Sequence, residues 1–253
     1  MPATEQELPS QNTGVNLAKG EIAIILAFAF AALAFHLLVN AFGGYGIFRD
    51  EYYYIACSKR LAAGYVDHPP LAMFLMAAGR SLFGATEFGI RVLPAMAHAL
   101  VVALSGLMAR RLGGRRTAVF LACLTVFLAP IIIGHATIFQ MNAFAYLFWA
   151  LAAYLLVLIV ERSRPSLWIM LGIVMGLGLL NKIDFLWFGA GLGAALLLTD
   201  LRKHLRTPWP YAAAGAGGPA FESDAAGREE HDVSRREVFR FAVGVSEEDG
   251  ESG

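Results

Sequence analysis

The sequence predicts an all-α membrane protein, a polytopic helix bundle of about six transmembrane helices with one polar loop that carries short interfacial helices. Three observations predict it. Of the 253 residues, 57% are hydrophobic and only 16% charged. Several apolar runs approach the ~20 residues a helix needs to cross a hydrocarbon core of about 30 Å. Finally, the basic residues gather in short segments between those runs: Lys19, Arg110-Arg111-Arg115-Arg116, Arg162-Arg164 and Arg202-Lys203-Arg206. All four segments share one side of the membrane if the last two apolar pieces form a hairpin, and the positive-inside bias makes that side cytoplasmic.

Residues 1–20 form a polar cytoplasmic tail, and the transmembrane domain is expected over 21–210. Residues 22–42 have the length of a signal-peptide core, but about 20 polar residues precede them and no small-residue cleavage site follows, so they read as a retained first span at 21–42. Further spans are expected at 89–109, 117–134 and 142–160. Two shorter pieces, 167–180 and 185–199, flank Asn181-Lys182-Ile183-Asp184 and read as a hairpin. Gly172, Gly176, Gly189 and Gly193 make two GxxxG spacings there, which suit close helix packing. From residue 211 the chain turns rich in Gly, Ala and acids, and 211–253 reads as a disordered tail. The acids of that tail balance the basic segments to a net charge of zero, so the overall charge points to no partner, nucleic acid included. Cys57 and Cys123 are read as packing residues, with no cysteine metal motif and no disulfide.

The loop 43–88 carries the polar chemistry. In "FRDEYYYIACSKRLAAGYVDHPPL", Asp50 can cap a surface helix that ends near Gly64, and Pro69-Pro70 can occupy the first positions of a second helix. Both acidic clusters, Asp50-Glu51 and Asp67-His68, then sit at helix starts. Such positions serve as simple caps, but they also offer unpaired N–H groups and a positive dipole end to a phosphate. Tyr52, Tyr53 and Tyr54 read either as an interfacial aromatic belt or as the lining of a sugar or isoprenoid groove. Glu87 and Arg91, four apart, suit an ion pair on the helix surface, with a phosphate as the alternative partner of Arg91. His36 and His98 read as polar packing residues inside spans. His135, Gln140 and Asn142 face the same compartment as the acidic loop, as do Lys182 and Asp184, which are either snorkelling charges or an anion site.

The opening block of that loop, followed by "RVLPAMAHAL" with "ARRLGG", "IFQMNAFAYLFWALAAYLL" and "GLGLLNK", resembles the amino-terminal half of the bacterial glycosyltransferase family 39. That family has the GT-C membrane fold and includes dolichyl-phosphate-mannose protein mannosyltransferases and the aminoarabinose transferases of lipid A. The resemblance covers about residues 20–210. It implies a bacterial inner-membrane enzyme with its active-site loop on the periplasmic side. Such an enzyme passes a sugar from a polyprenyl-phosphate donor to a lipid or protein acceptor with inversion. It also implies Asp50 as the general base, aided or replaced by Glu51, and Asp67 as ligand of a divalent metal cation. Tyr53, His68, Arg91 and Lys182 are the implied substrate-binding residues, His68 standing where some relatives carry Lys. Family members continue through further spans, so a truncated or frame-shifted product is expected here. A non-catalytic membrane protein that at most binds lipid phosphate is the alternative. A transporter using the Lys182-Asp184 hairpin is a third reading.

Overall fold

The computed structural model describes residues 18–65, 68–162 and 164–215. Nine α-helices are defined there: α1 Lys19–Phe42, α2 Arg49–Ser58, α3 Leu71–Phe83, α4 Glu87–Arg111, α5 Arg116–Phe127, α6 Pro130–Thr137, α7 Met141–Arg162, α8 Pro165–Asn181 and α9 Leu186–Leu198. Two 3₁₀ turns, Ile183–Phe185 and Asp200–Arg206, complete the order, and the chain is helical again over 209–215. The all-α expectation holds, for the reason that in hydrocarbon a helix alone satisfies every backbone donor within its own segment.

Three helices, α1, α4 and α7, are long and apolar enough to span a bilayer. The expected span 117–134 is broken: α5 and α6 meet at 52°, and they amount to a fourth span only if the bent pair is counted as one. The break falls at Pro130, which cannot donate its backbone N–H, and Ala129 before it is extended (φ −65°, ψ 110°). At 17 and 13 residues, α8 and α9 are shorter than a span. The expected count of about six is therefore corrected to three, or four with the bent pair. The membrane is nevertheless crossed several times, and the expected order of apolar segments is reproduced.

The bundle is built around α4, which packs against α1, α3, α5, α6 and α7. Its buried Val102 meets Ile25 and Ala32 of α1 and Cys123 of α5 in one core, and its Ile90 meets Met73, Met76, Phe139 and Phe144 in another. A third core joins α7 to α8 and the hairpin through Ile159, Trp168, Leu171 and Phe185. Both cysteines are free, and Cys123 is a buried packing residue. His36 and His98 turn out to be partners, with Nε2 of His36 2.8 Å from Nδ1 of His98. His98 Nε2 faces the Val126 carbonyl at 3.2 Å, so it carries that ring's hydrogen and leaves Nδ1 to accept from His36. Two neutral imidazoles thus tie α1 to α4 in the apolar interior.

The basic segments do share one end of the bundle. Arg110 Nε meets Glu21 at 2.8 Å, Arg111 Nη1 meets Glu161 at 2.9 Å, and His204 stands against Trp168. The loop carrying α2 and α3 lies at the other end, beside the α6–α7 turn and the α8–α9 hairpin. Two local expectations need correction. The helix expected from Asp50 to Gly64 ends at Ser58, and Pro70 stands just before α3 as its cap, with Pro69 outside the helix. At the far end the expected tail boundary at 211 falls inside the helical stretch 209–215, where Ala213 lies directly on Gly172 of α8. The remainder of the acidic tail and residues 1–17 lie outside the described residues.

Candidate functional site

The first turn of α2 separates its two acids. Glu51, not Asp50, caps the helix: its Oε2 accepts from the Phe48 backbone N–H at 2.8 Å. The same carboxylate is fully buried and accepts from Arg91 Nε at 2.9 Å, Arg91 Nη2 at 2.6 Å and the Phe139 N–H at 2.7 Å. Arg91 also donates to the carbonyls of Tyr45 (3.2 Å) and Gly46 (2.9 Å). The expected surface contact between Glu87 and Arg91 thus gives way to a buried, forked pair 40 residues apart in sequence. A carboxylate and a guanidinium that satisfy each other and four backbone groups can be buried together. This pair clamps α2, α4, the turn before α2 and the strand-like link at Phe139 into one frame.

Asp50 points the other way. Its carboxylate is about half exposed and touches Arg49 at 3.4 Å, a contact too long and too wet to neutralise it. It lies on an open cavity of about 440 Å³ that Arg49, Tyr53, His68, Gln140 and Asn142 also line. Aromatic rings form one wall: His68 stacks on Tyr54 (centroids 6.1 Å, 9°) and meets Tyr53 edge-on at 5.7 Å. Tyr54 also leans on Phe139, and its hydroxyl accepts from the Met141 N–H at 3.4 Å. Burial pushes that hydroxyl's pKa above its ordinary value, so it stays protonated at neutral pH.

The opposite wall is the start of α7. Lys182 Nζ donates to Asn142 Oδ1 at 2.7 Å and contacts Asp184 at 3.0 Å. Asn142 Nδ2 donates in turn to Gln140 Oε1 at 3.2 Å, and Asn181 holds the Met141 carbonyl at 2.9 Å. The hairpin therefore braces the α7 start from behind.

Of the residues expected in the site, Asp50, Tyr53 and His68 line the cavity. Lys182 stands one side chain behind its wall, and Glu51 with Arg91 forms its buried frame. Asp67 lies outside the described residues. Among the described residues no three His, Cys, Asp or Glu side chains converge so as to hold a metal ion, so Asp50 and His68 do not make a metal site by themselves. Arg49 was not anticipated, and of the tyrosines read as a possible groove lining, Tyr53 and Tyr54 line the cavity.

A family profile described as dolichyl-phosphate-mannose-protein mannosyltransferase matches residues 67–220. The chain belongs to this family. Asp50 and Glu51 precede the matched range, whereas His68, Arg91, Gln140, Asn142 and Lys182 of this mannosyltransferase-family chain fall within it. It is 32% identical over 133 residues to the undecaprenyl phosphate-alpha-4-amino-4-deoxy-L-arabinose arabinosyl transferase of Pseudomonas aeruginosa (strain UCBPP-PA14). It is 25% identical over 127 residues to the protein of that name from Pseudomonas savastanoi pv. phaseolicola. Those matches cover 50% and 49% of this chain, but the chain spans only 24% of either relative. No solved structure matches it. Family membership and the apolar helices together make it a multi-pass membrane protein.

Proposed function

We propose that this chain is a membrane glycosyltransferase that moves a sugar from a polyprenyl-phosphate donor to a hydroxyl of a lipid acceptor on the outer face of the bacterial inner membrane, with inversion. The observation that carries the reading is the placement of Asp50: a solvated carboxylate on a polar cavity, next to an aromatic wall, on a turn held rigid by Glu51 and Arg91. In an inverting displacement the acceptor oxygen attacks the anomeric carbon while the bond from that carbon to the phosphate oxygen breaks. The acceptor's proton passes to Asp50, and the phosphate leaves with the bonding electron pair. Arg49 at the cavity mouth and a ring N–H of His68 offset the negative charge that develops on the leaving phosphate. Tyr53 and the ring of His68, which is backed by the buried Tyr54, supply an aromatic surface on which a sugar or the first isoprene unit rests.

Undecaprenyl-linked aminoarabinose, the donor for which the Pseudomonas relatives are named, is the first donor to try. The carboxylate base makes a direct test. Asp50→Asn keeps the shape but removes the basic oxygen, and general-base loss lowers kcat by about 10²–10⁴-fold. Transfer of labelled sugar in proteoliposomes reads this, with KM for the donor little changed. Unchanged transfer would remove Asp50 as base, and donor binding with no turnover in the unaltered chain would select the non-catalytic reading. Asp67 is proposed to hold a divalent cation that neutralises the departing phosphate; a chelator then stops transfer, and added Mg²⁺ or Mn²⁺ restores it.

A further inference from the structure

The α7 start presents a hydrogen-bonded relay whose direction is fixed by chemistry. A lysine ammonium only donates, so the Asn142 atom 2.7 Å from Lys182 Nζ is the amide oxygen. Asn142 then turns its NH₂ group toward Gln140, where the partner at 3.2 Å must be the Gln140 amide oxygen. With its oxygen engaged by Asn142, Gln140, which lines the cavity together with Asp50, keeps its NH₂ group as the donor it can offer a ligand there. Asp184, 3.0 Å from Lys182, neutralises the charge that starts the relay, and a neutral donor edge reaches the cavity where an anion site would need a cation.

Resting on the reading of this cavity as the donor site, we propose that Gln140 selects the sugar. Its NH₂ group donates to a hydroxyl or ring oxygen of the glycosyl group, and Lys182 and Asn142 are positioning residues that keep its amide from flipping. The phosphate then belongs at the other side of the cavity, with the exposed Arg49 (side chain 91% accessible). A neutral amide discriminates well, because a site built to donate to an oxygen leaves its own polar group unpaired when the ligand lacks it.

The test is binding by the full chain in nanodiscs, with three probes: undecaprenyl phosphate, undecaprenyl phosphate carrying 4-amino-4-deoxy-L-arabinose, and undecaprenyl phosphate carrying mannose. At least one glycosylated lipid should bind about tenfold or more tighter than the bare lipid. Gln140→Leu and Gln140→Glu should erase that preference while leaving the affinity for undecaprenyl phosphate within about twofold. Lys182→Met should weaken the preference, and Lys182→Arg should restore most of it, because arginine also only donates. Equal binding of all three lipids by the unaltered chain would overturn the proposal, as would an equal loss of bare and glycosylated lipid in Gln140→Leu, which would make Gln140 a phosphate contact. A chain that binds with the Gln140-dependent preference yet transfers no sugar would sink the transferase reading and leave this one standing.

Discussion

Two neighbouring acids, Asp50 and Glu51, have opposite fates: one carboxylate stays open to the cavity and the other is locked into the framework. Glu51 is fully buried with four donors on its two oxygens; nothing is left for a substrate proton. Removing one partner of such a pair strands the other, at a cost of about 3–5 kcal/mol. Glu51→Gln and Arg91→Met should therefore each lower the unfolding temperature of the detergent-solubilised protein by several degrees. Their double variant should be less destabilised than the sum of the two, because the second change strands no further charge. Asp50→Asn should leave that temperature within about a degree. If Glu51→Gln were as stable as the unaltered chain, the frame assigned to this pair would be wrong. None of this was legible from spacing: adjacency suggested that both acids act together, and the partner of Glu51 lies 40 residues away on another helix. The partner of Lys182 escaped in the same manner, since Asn142 is also 40 residues distant.

Among the elements, the spans were legible because the bilayer imposes one requirement, a long apolar run, and α1, α4 and α7 meet it within two or three residues of the expected limits. The bend between α5 and α6 was present in the sequence as Ala129-Pro130 but was hidden by the continuous apolar character around it. The glycine spacings needed the structure, because GxxxG says that two backbones can approach, not which glycine is used. Gly172 carries Ala213 and Gly178 carries the ring of Phe185, whereas Gly193 faces open space. Gly178 lies one turn before Lys182 and its backbone carbonyl receives the Lys182 N–H at 2.8 Å, so the Phe185 ring and the hairpin tip rest on the same spot. Gly178→Leu should force Phe185 out, costing about 1–3 kcal/mol as an overpacked site, and should loosen the hairpin that holds Lys182. Gly193→Ala should be neutral or slightly stabilising, since alanine restricts the unfolded chain at no steric cost. Thermal unfolding of the two variants side by side checks this, and equal effects at both positions would discard the packing assigned to Gly178.

At the scale of the whole molecule, charge is sorted toward the two ends of the bundle. Arg110 and Arg111 meet Glu21 and Glu161 at one end, and Asp50, His68 and Gln140 gather around the cavity at the other. The clustering was foreseeable from the order of basic segments; the cavity was not, because it takes side chains from three stretches that no local pattern connects. Lysine and arginine in short loops tend to stay on the cytoplasmic side, so the proposed function, which needs the cavity on the outer face, makes a prediction about the sidedness of the two ends. Leu61, in the loop after α2, and Leu112, in the turn after α4, are both exposed, at 47% and 74%, and they flank the cavity end and the basic end. In a background with Cys57→Ala and Cys123→Ala, Leu61→Cys should react with a membrane-impermeant maleimide on spheroplasts, and Leu112→Cys only after the membrane is permeabilised. Reversed labelling would put the cavity in the cytoplasm, where an outer-face transferase cannot work. Labelling of both sites in sealed spheroplasts would mean that α4 does not cross, and the bundle would then have to be threaded differently through the bilayer. The labelling thus decides the sidedness of the cavity without any assumption about what it binds.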